Sequence, residues 1–154
     1  MIMASPNFSM DELTHSDTAT RHNIDNTPND NEKDNLYKLA MEMENVRKLL
    51  NNNPIFVSSG YRCLALNELL GSKKTSSHIK GLGCDFVCRK FGSPKEIVKK
   101  IIESDIEYDQ VIEEHGSWVH IGFSKNNPRK QALIISRKGT IPFYSETQVI
   151  NNIN

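Results

Sequence analysis

The chain has 154 residues, about a quarter of them charged, with 19 basic and 19 acidic side chains in balance. That length supports a single domain, 1–154, with a real core, and the balance leaves neither a basic field for nucleic acid nor an acidic one. No run approaches the length of a membrane span, and Met1 to Pro6 lacks the charged start and apolar core of a signal peptide, so a chain made in the cytoplasm is expected.

Phe8-Ser9-Met10-Asp11-Glu12-Leu13 is a dense helix-start signal. Ser9 can cap, Glu12 can complete a capping box, and Phe8 can staple against Leu13. Thr14 to Lys33 is polar, rich in Asn, Asp and Thr, and broken by Pro28, which is loop composition. From about Asn31 to Leu50, Leu36, Leu39, Ala40, Met43, Val46 and Leu50 form one apolar stripe at helical spacing. Asn51-Asn52-Asn53-Pro54 ends that helix.

Ile55 to Ser59 reads as a strand, followed by Gly60-Tyr61-Arg62 and a short helix, Leu64 to Leu70, closed by Gly71. Cys84-Asp85-Phe86-Val87-Cys88 reads as a second strand, with Asp85 and Val87 on one face and Cys84, Phe86 and Cys88 on the other. Gly92-Ser93-Pro94-Lys95-Glu96 opens a helix with Ser93 as cap, Pro94 first and Glu96 completing a box. Ile97, Val98, Ile101 and Ile102 form its stripe. Asp109 to Glu114 and Trp118 to Phe123 make a hairpin around His115-Gly116-Ser117, and Ala132 to Ser136 with Thr140 to Tyr144 make another. The ordered core is expected over about residues 8–144, with frayed ends. Cys63, Cys84 and Cys88 cannot all pair, so free thiols are expected, Cys84 and Cys88 as buried core residues.

The chemistry gathers around Ser76 to Phe86. His78 offers an imidazole nitrogen and Asp85 a carboxylate oxygen, both good ligands for zinc. Gly81 and Gly83 between them let the backbone turn so that the two side chains converge. His120, centred in the strand Trp118-Val119-His120-Ile121, supplies a third ligand. Two histidines and one carboxylate leave a zinc position open, the mark of a catalytic site. The expected architecture is α+β, an antiparallel sheet carrying the zinc site with helices packed on its other side.

Ser59-Gly60-Tyr61-Arg62, Leu66-Asn67, Gly71, Ser76-x-His78-x-x-Gly81-x-x-x-Asp85 and Trp118-Val119-His120 occur in this order. The set resembles the zinc D-Ala-D-Ala carboxypeptidase family of Hedgehog/DD-peptidase fold, most of all the short phage-type members used in cell-wall lysis. The resemblance spans about Phe8 to Tyr144. It implies zinc as cofactor, held by His78, Asp85 and His120, and bacterial peptidoglycan peptides as substrate. It also implies order in the Thr18 to Arg21 and Ile24 to Pro28 segments, without much helix or strand. Arg62 would bind substrate and stabilise developing negative charge, Ser76 would support the ligands by hydrogen bonding and line the substrate site, and Trp118 would contact substrate. Asn67 would be structural.

The general base is left open by spacing. Many members carry an acid three positions before the last histidine, where this chain has Ser117. The phage-type members show an Asp-Gln-Leu/Val-Ile-x-Glu run, matched here by Asp109 to Glu114, which puts Glu114 on the acidic position. A three-residue turn sets Glu114 on the face of Trp118 and His120, and a two-residue turn sets Glu113 there. Glu114 is the preferred base, with His115 read as an exposed turn residue. Ser77 and Gly83 depart from the Gln and Ala usual in the family. The implied activity is hydrolysis of a stem-peptide bond by a monomer, which could be a phage enzyme released through a holin pore, a virion component or a cytosolic peptidase. The rival is a non-catalytic zinc module of the same fold, kept open by the absence of an acid at Ser117.

Overall fold

The N-terminal stretch is held by a buried acid on a distant helix. In this computed structural model, which describes residues 1–143, β1 (Met3–Ser5) pairs antiparallel with β2 (Phe8–Ser9). The Glu44 carboxylate accepts hydrogen bonds from Ser5 Oγ (2.6 Å), Asn7 N (2.7 Å) and Asn7 Nδ2 (2.7 Å). Ordered structure therefore starts before Phe8. Tyr144 and the expected frayed end, 145–154, lie outside the described residues.

Helix α1 (Met10–Thr14) carries the full capping box: Glu12 N donates to Ser9 Oγ, and Ser9 N donates to Glu12 Oε1. Phe8 and Leu13 are both buried in the core, as a staple requires. The polar stretch that follows contains a helix the composition does not announce, α2 (Asp17–Arg21), capped by Ser16. Ala19 is its one buried residue, so it has no stripe to detect. Helix α3 (Asp30–Leu49) begins at a second box, between Asn29 and Glu32, and buries Leu36, Leu39, Ala40, Met43 and Val46.

The remaining elements are β3 (Phe56–Ser59), α4 (Leu64–Leu69), α5 (Ser77–Lys80), β4 (Gly83–Val87), α6 (Pro94–Ile102), β5 (Gln110–Glu114), β6 (Trp118–Gly122), β7 (Gln131–Ser136) and β8 (Gly139–Pro142). On α6, Ser93 accepts from the Glu96 N–H at 3.2 Å, which is half of the expected box. Ile97, Val98 and Ile101 are fully buried, while Ile102 is half-buried.

Six strands form one sheet in the order β3-β4-β6-β5-β7-β8. Four of its five pairings are antiparallel, but β5 and β7 run parallel, which corrects the all-antiparallel expectation. The reason is where the chain leaves β6. Gly122 lies beside Gln110, the start of β5, and the connecting loop crosses that same end to the free side of β5. β7 must then start where β5 starts, with Gln131 beside Gln110. Asp109 fixes the crossing: its carboxylate accepts from Arg129 N (2.9 Å) and Arg129 Nη2 (2.9 Å), and its carbonyl accepts from Gln131 N (3.0 Å).

One sheet face belongs to the core. Cys84, Phe86, Val111, Val119 and Ile121 pack in one cluster with the stripes of α3 and α6. Cys84 Sγ lies 3.6 Å from Met43 Sδ. The three cysteines are free, and burial pushes the Cys84 thiol well up. The opposite face carries Asp85, His120, Ile112, Glu114 and Trp118, with α5 lying against β4.

Candidate metal centre

Helix α5 is a single turn built to aim one side chain. Ser76 caps it, accepting from the His78 N–H at 3.2 Å, and Gly81 ends it at φ 75°, a conformation that favours glycine. A Cβ on Gly81 would also meet the Glu32 carbonyl oxygen at 2.8 Å. The chain then enters β4, where Asp85 sits directly opposite His120 of β6. Two of the groups thus stand on the sheet and the third drops in from α5.

The three converge. His120 Nδ1 lies 2.9 Å and His78 Nε2 lies 3.1 Å from the same oxygen, Asp85 Oδ1. One ligand atom from each side chain fits within 4.8 Å of the others, and all three residues are buried. The tetrahedral coordination of zinc, with bonds of about 2.0–2.2 Å, sets ligand atoms roughly 3.3 Å apart. The observed spacings match that scale.

Hydrogen bonding gives a sharper test of fit. His78 Nδ1 is 2.7 Å from the Gly60 carbonyl oxygen, which can only accept, so Nδ1 carries the proton. In a neutral ring, Nε2 then presents a lone pair to a carboxylate oxygen at 3.1 Å. Burial pushes His78 below its ordinary value, against the pull of Asp85, so a second proton on the ring is disfavoured. Two acceptors face one another in a dry place. A divalent cation resolves that conflict, and an imidazole whose far nitrogen donates to a backbone carbonyl is the usual arrangement of a histidine ligand. Burial alone would raise Asp85, but hydrogen bonding, from His120 first of all, outweighs it and holds the carboxyl well below its ordinary value. The donor set fits zinc.

Around this centre stand the other expected residues. Arg62 donates from Nε to Ser59 Oγ (3.1 Å), from Nη1 to Ser72 Oγ (3.2 Å) and from Nη2 to Asp85 Oδ2 (3.3 Å). Those three bonds leave an N–H on each terminal nitrogen for another oxygen. Burial lowers its value while the Asp85 and Glu114 charges raise it.

The hairpin has the three-residue turn. Glu114 pairs with Trp118 and Ile112 with His120, so Glu114 shares the face of His120 and Glu113 pairs with core-facing Val119. His115 and Gly116 both take positive φ, 55° and 66°, and Ser117 N donates to Glu114 O at 2.9 Å. Burial raises the Glu114 carboxyl, reinforced by the Asp85 charge and opposed by His120, His115 and Arg62. Ser117 is exposed in the turn, away from any role as an acid. His115 is exposed, its ring centroid 5.7 Å from that of half-buried Trp118.

Several supporting groups take roles that the sequence does not announce. Gly60 serves through its carbonyl, and a Cβ there would stand 2.2 Å from the Leu13 carbonyl oxygen. Ser77 Oγ lies 3.4 Å from His120 Nε2 and occupies space left open by Gly83 and Gly122, whose Cβ atoms would meet it at 2.0 Å and 2.8 Å. The departures at Ser77 and Gly83 are therefore one packing feature. Ser59, which opens the Ser59-Gly60-Tyr61-Arg62 motif, and Ser72, which has no signal beyond its nearness to Ser76, hold Arg62. Asn67 is fully buried and donates to the Lys73 carbonyl at 2.9 Å, a structural role.

The family model described as Peptidase M15 matches residues 6–122, which takes in every site residue named above. No curated protein matches the chain. No described helix is long and apolar enough to cross a membrane.

Proposed function

Because the chain belongs to the Peptidase M15 family, we propose that it is a zinc metallopeptidase hydrolysing a peptide bond in the stem peptide of bacterial peptidoglycan. The bond is D-Ala-D-Ala or a neighbour of it, as in a phage-type lysis enzyme acting as a monomer. The observation that carries the metal reading is the His78 lone pair facing Asp85 Oδ1 at 3.1 Å, with His120 Nδ1 on the same oxygen.

His78 through Nε2, Asp85 through Oδ1 and His120 through Nδ1 would hold the ion. When bound, zinc supplies Lewis acidity towards the scissile carbonyl and the attacking water. Glu114 accepts the proton of that water and returns it to the leaving amine, and its burial strengthens it as a base. Arg62 binds a substrate carbonyl or carboxylate oxygen through its two unengaged N–H groups and offsets negative charge as it develops. Its contact with Asp85 Oδ2 also fixes the orientation of that ligand. Ser76 keeps His78 in place through its backbone and lines the site. Trp118 walls the substrate cleft beside Glu114.

The test is a zymogram on purified cell walls. Clearing that chelator abolishes and zinc restores supports the reading. Clearing unaffected by chelator contradicts it.

A further inference from the structure

The segment that carries Arg62 has no secondary structure to hold it. Gly60 to Cys63 runs between the end of β3 and the start of α4, outside both the ladder and the helix. Its polar backbone groups must find partners elsewhere. Tyr61 N donates to Leu13 O (2.7 Å) and Arg62 N to His78 O (3.1 Å). The next two partners come from one side chain. Asn26 Nδ2 donates to Tyr61 O at 3.0 Å, and Asn26 Oδ1 accepts from Cys63 N at 2.7 Å.

We infer that Asn26 is a positioning residue for Arg62, clasping the peptide groups on either side of it. This rests on the reading of Arg62 as the substrate-binding arginine. A carboxamide is suited to the task because it offers a donor and an acceptor side by side, as a neighbouring strand would. The second Nδ2 hydrogen reaches Thr14 O at 2.9 Å, so the same group also joins the end of α1 to the arginine segment. Asn26 is itself set by a local turn, in which Asp25 Oδ1 accepts from Thr27 N (3.0 Å) and Thr27 Oγ1 (2.6 Å). At the far end of the side chain, Ser59, Ser72 and Asp85 hold the guanidinium. The arginine is thus fixed at both ends, and fixing the base of a long side chain is what makes its tip reproducible.

Asn26→Ala removes the clasp without touching the guanidinium, the metal-binding atoms or Glu114. The zinc-loaded variant should keep its metal and lose roughly 10- to 100-fold in kcat/KM on stem peptides, the scale of a slightly misplaced group. In an Arg62→Ala background the same change should cost less than about twofold, because Asn26 acts through a side chain no longer present. Equal losses in both backgrounds would make Asn26 a general scaffold residue and overturn the inference. Where Asn26→Ala does not fold, Asn26→Asp takes its place in the cycle, keeping the acceptor for Cys63 N and losing both donors. A second readout needs no turnover. Hydrogen exchange by NMR should find the Cys63 amide and Arg62 Nε–H protected in the unaltered protein, and Arg62 Nε–H faster in the variant at unchanged zinc content. Fast exchange at Cys63 in the unaltered protein, or unchanged Arg62 Nε–H in the variant, overturns the clasp whatever the activity. Protection as expected in a zinc-loaded protein that cleaves no peptide upholds the clasp and rejects the peptidase reading instead.

Discussion

Asp85 and His120 face each other across β4 and β6, with His120 Nδ1 2.9 Å from Asp85 Oδ1. Strand pairing places these two residues opposite each other. His78 depends on a one-turn helix and on the Gly60 carbonyl. His78→Ala, Asp85→Ala and His120→Ala should each strongly weaken binding of one zinc per chain, since each removes one of three protein ligands. Elemental analysis is the check, and full zinc in any variant rejects that residue as a ligand. Cys84→Ser with Cys88→Ser should keep the metal, because both thiols face the core.

Gly60→Ala should be severely disruptive. The added Cβ would stand 2.2 Å from a backbone oxygen, that of Leu13, which has no flexible end to swing aside. A loss of at least about 1–3 kcal/mol is expected from overpacking, together with weaker zinc binding as the carbonyl on His78 Nδ1 shifts. Denaturant unfolding and zinc titration measure the two effects. A stable variant with normal zinc affinity would contradict the account of Gly60.

The elements with local signals were legible in the sequence. The caps at Ser9 and Ser93 and the stripe from Leu36 to Val46 are written within a few residues of where they act. What stayed hidden depends on distant groups. β1 is fixed by Glu44, and the parallel course of β7 follows from the strand end at which the chain crosses β5. Alternation alone permits Glu113 or Glu114 on the site face of the β5–β6 hairpin, and only the pairing of Glu114 with Trp118 decides it. The three side chains that could hold a metal were nameable from residue type and order, whereas Gly60 acts through its carbonyl, which no residue type announces.

Asp109 should stabilise the start of β7 in a pH-dependent way. Its hydrogen bonds to Arg129 hold its carboxyl below the ordinary value. The unfolded chain therefore takes up this proton first as pH falls, so the contribution is full above about pH 4 and fades as pH drops through the lowered value. Being largely a surface pair, it is worth at most about 1 kcal/mol. Asp109→Asn should flatten that part of the stability profile and speed amide exchange in Gln131–Ser136 without loss of zinc. An unchanged profile would mean that the pair does not hold β7.

Glu114→Gln should keep zinc and fold while losing activity by roughly 10²–10⁴-fold, the usual share of a general base. Arg62→Lys should also keep zinc but lose the two-pronged hold on a substrate oxygen. Glu113→Gln is the control, expected to stay largely active because Glu113 pairs with Val119 on the opposite face. Rates on isolated peptidoglycan, read beside zinc content, decide between them. A dead Glu113→Gln beside an active Glu114→Gln would reverse the assignment.

The central claim is that this arrangement of His78, Asp85, His120, Arg62 and Glu114 cleaves stem peptides with zinc. Mass spectrometry of purified peptidoglycan incubated with the zinc-loaded protein tests it most directly. The account predicts loss of a terminal D-Ala or a new amino terminus within the stem peptide, absent with chelator and absent with Glu114→Gln. A protein carrying one zinc per chain that leaves every stem-peptide bond intact would contradict it and make the centre a non-catalytic zinc module.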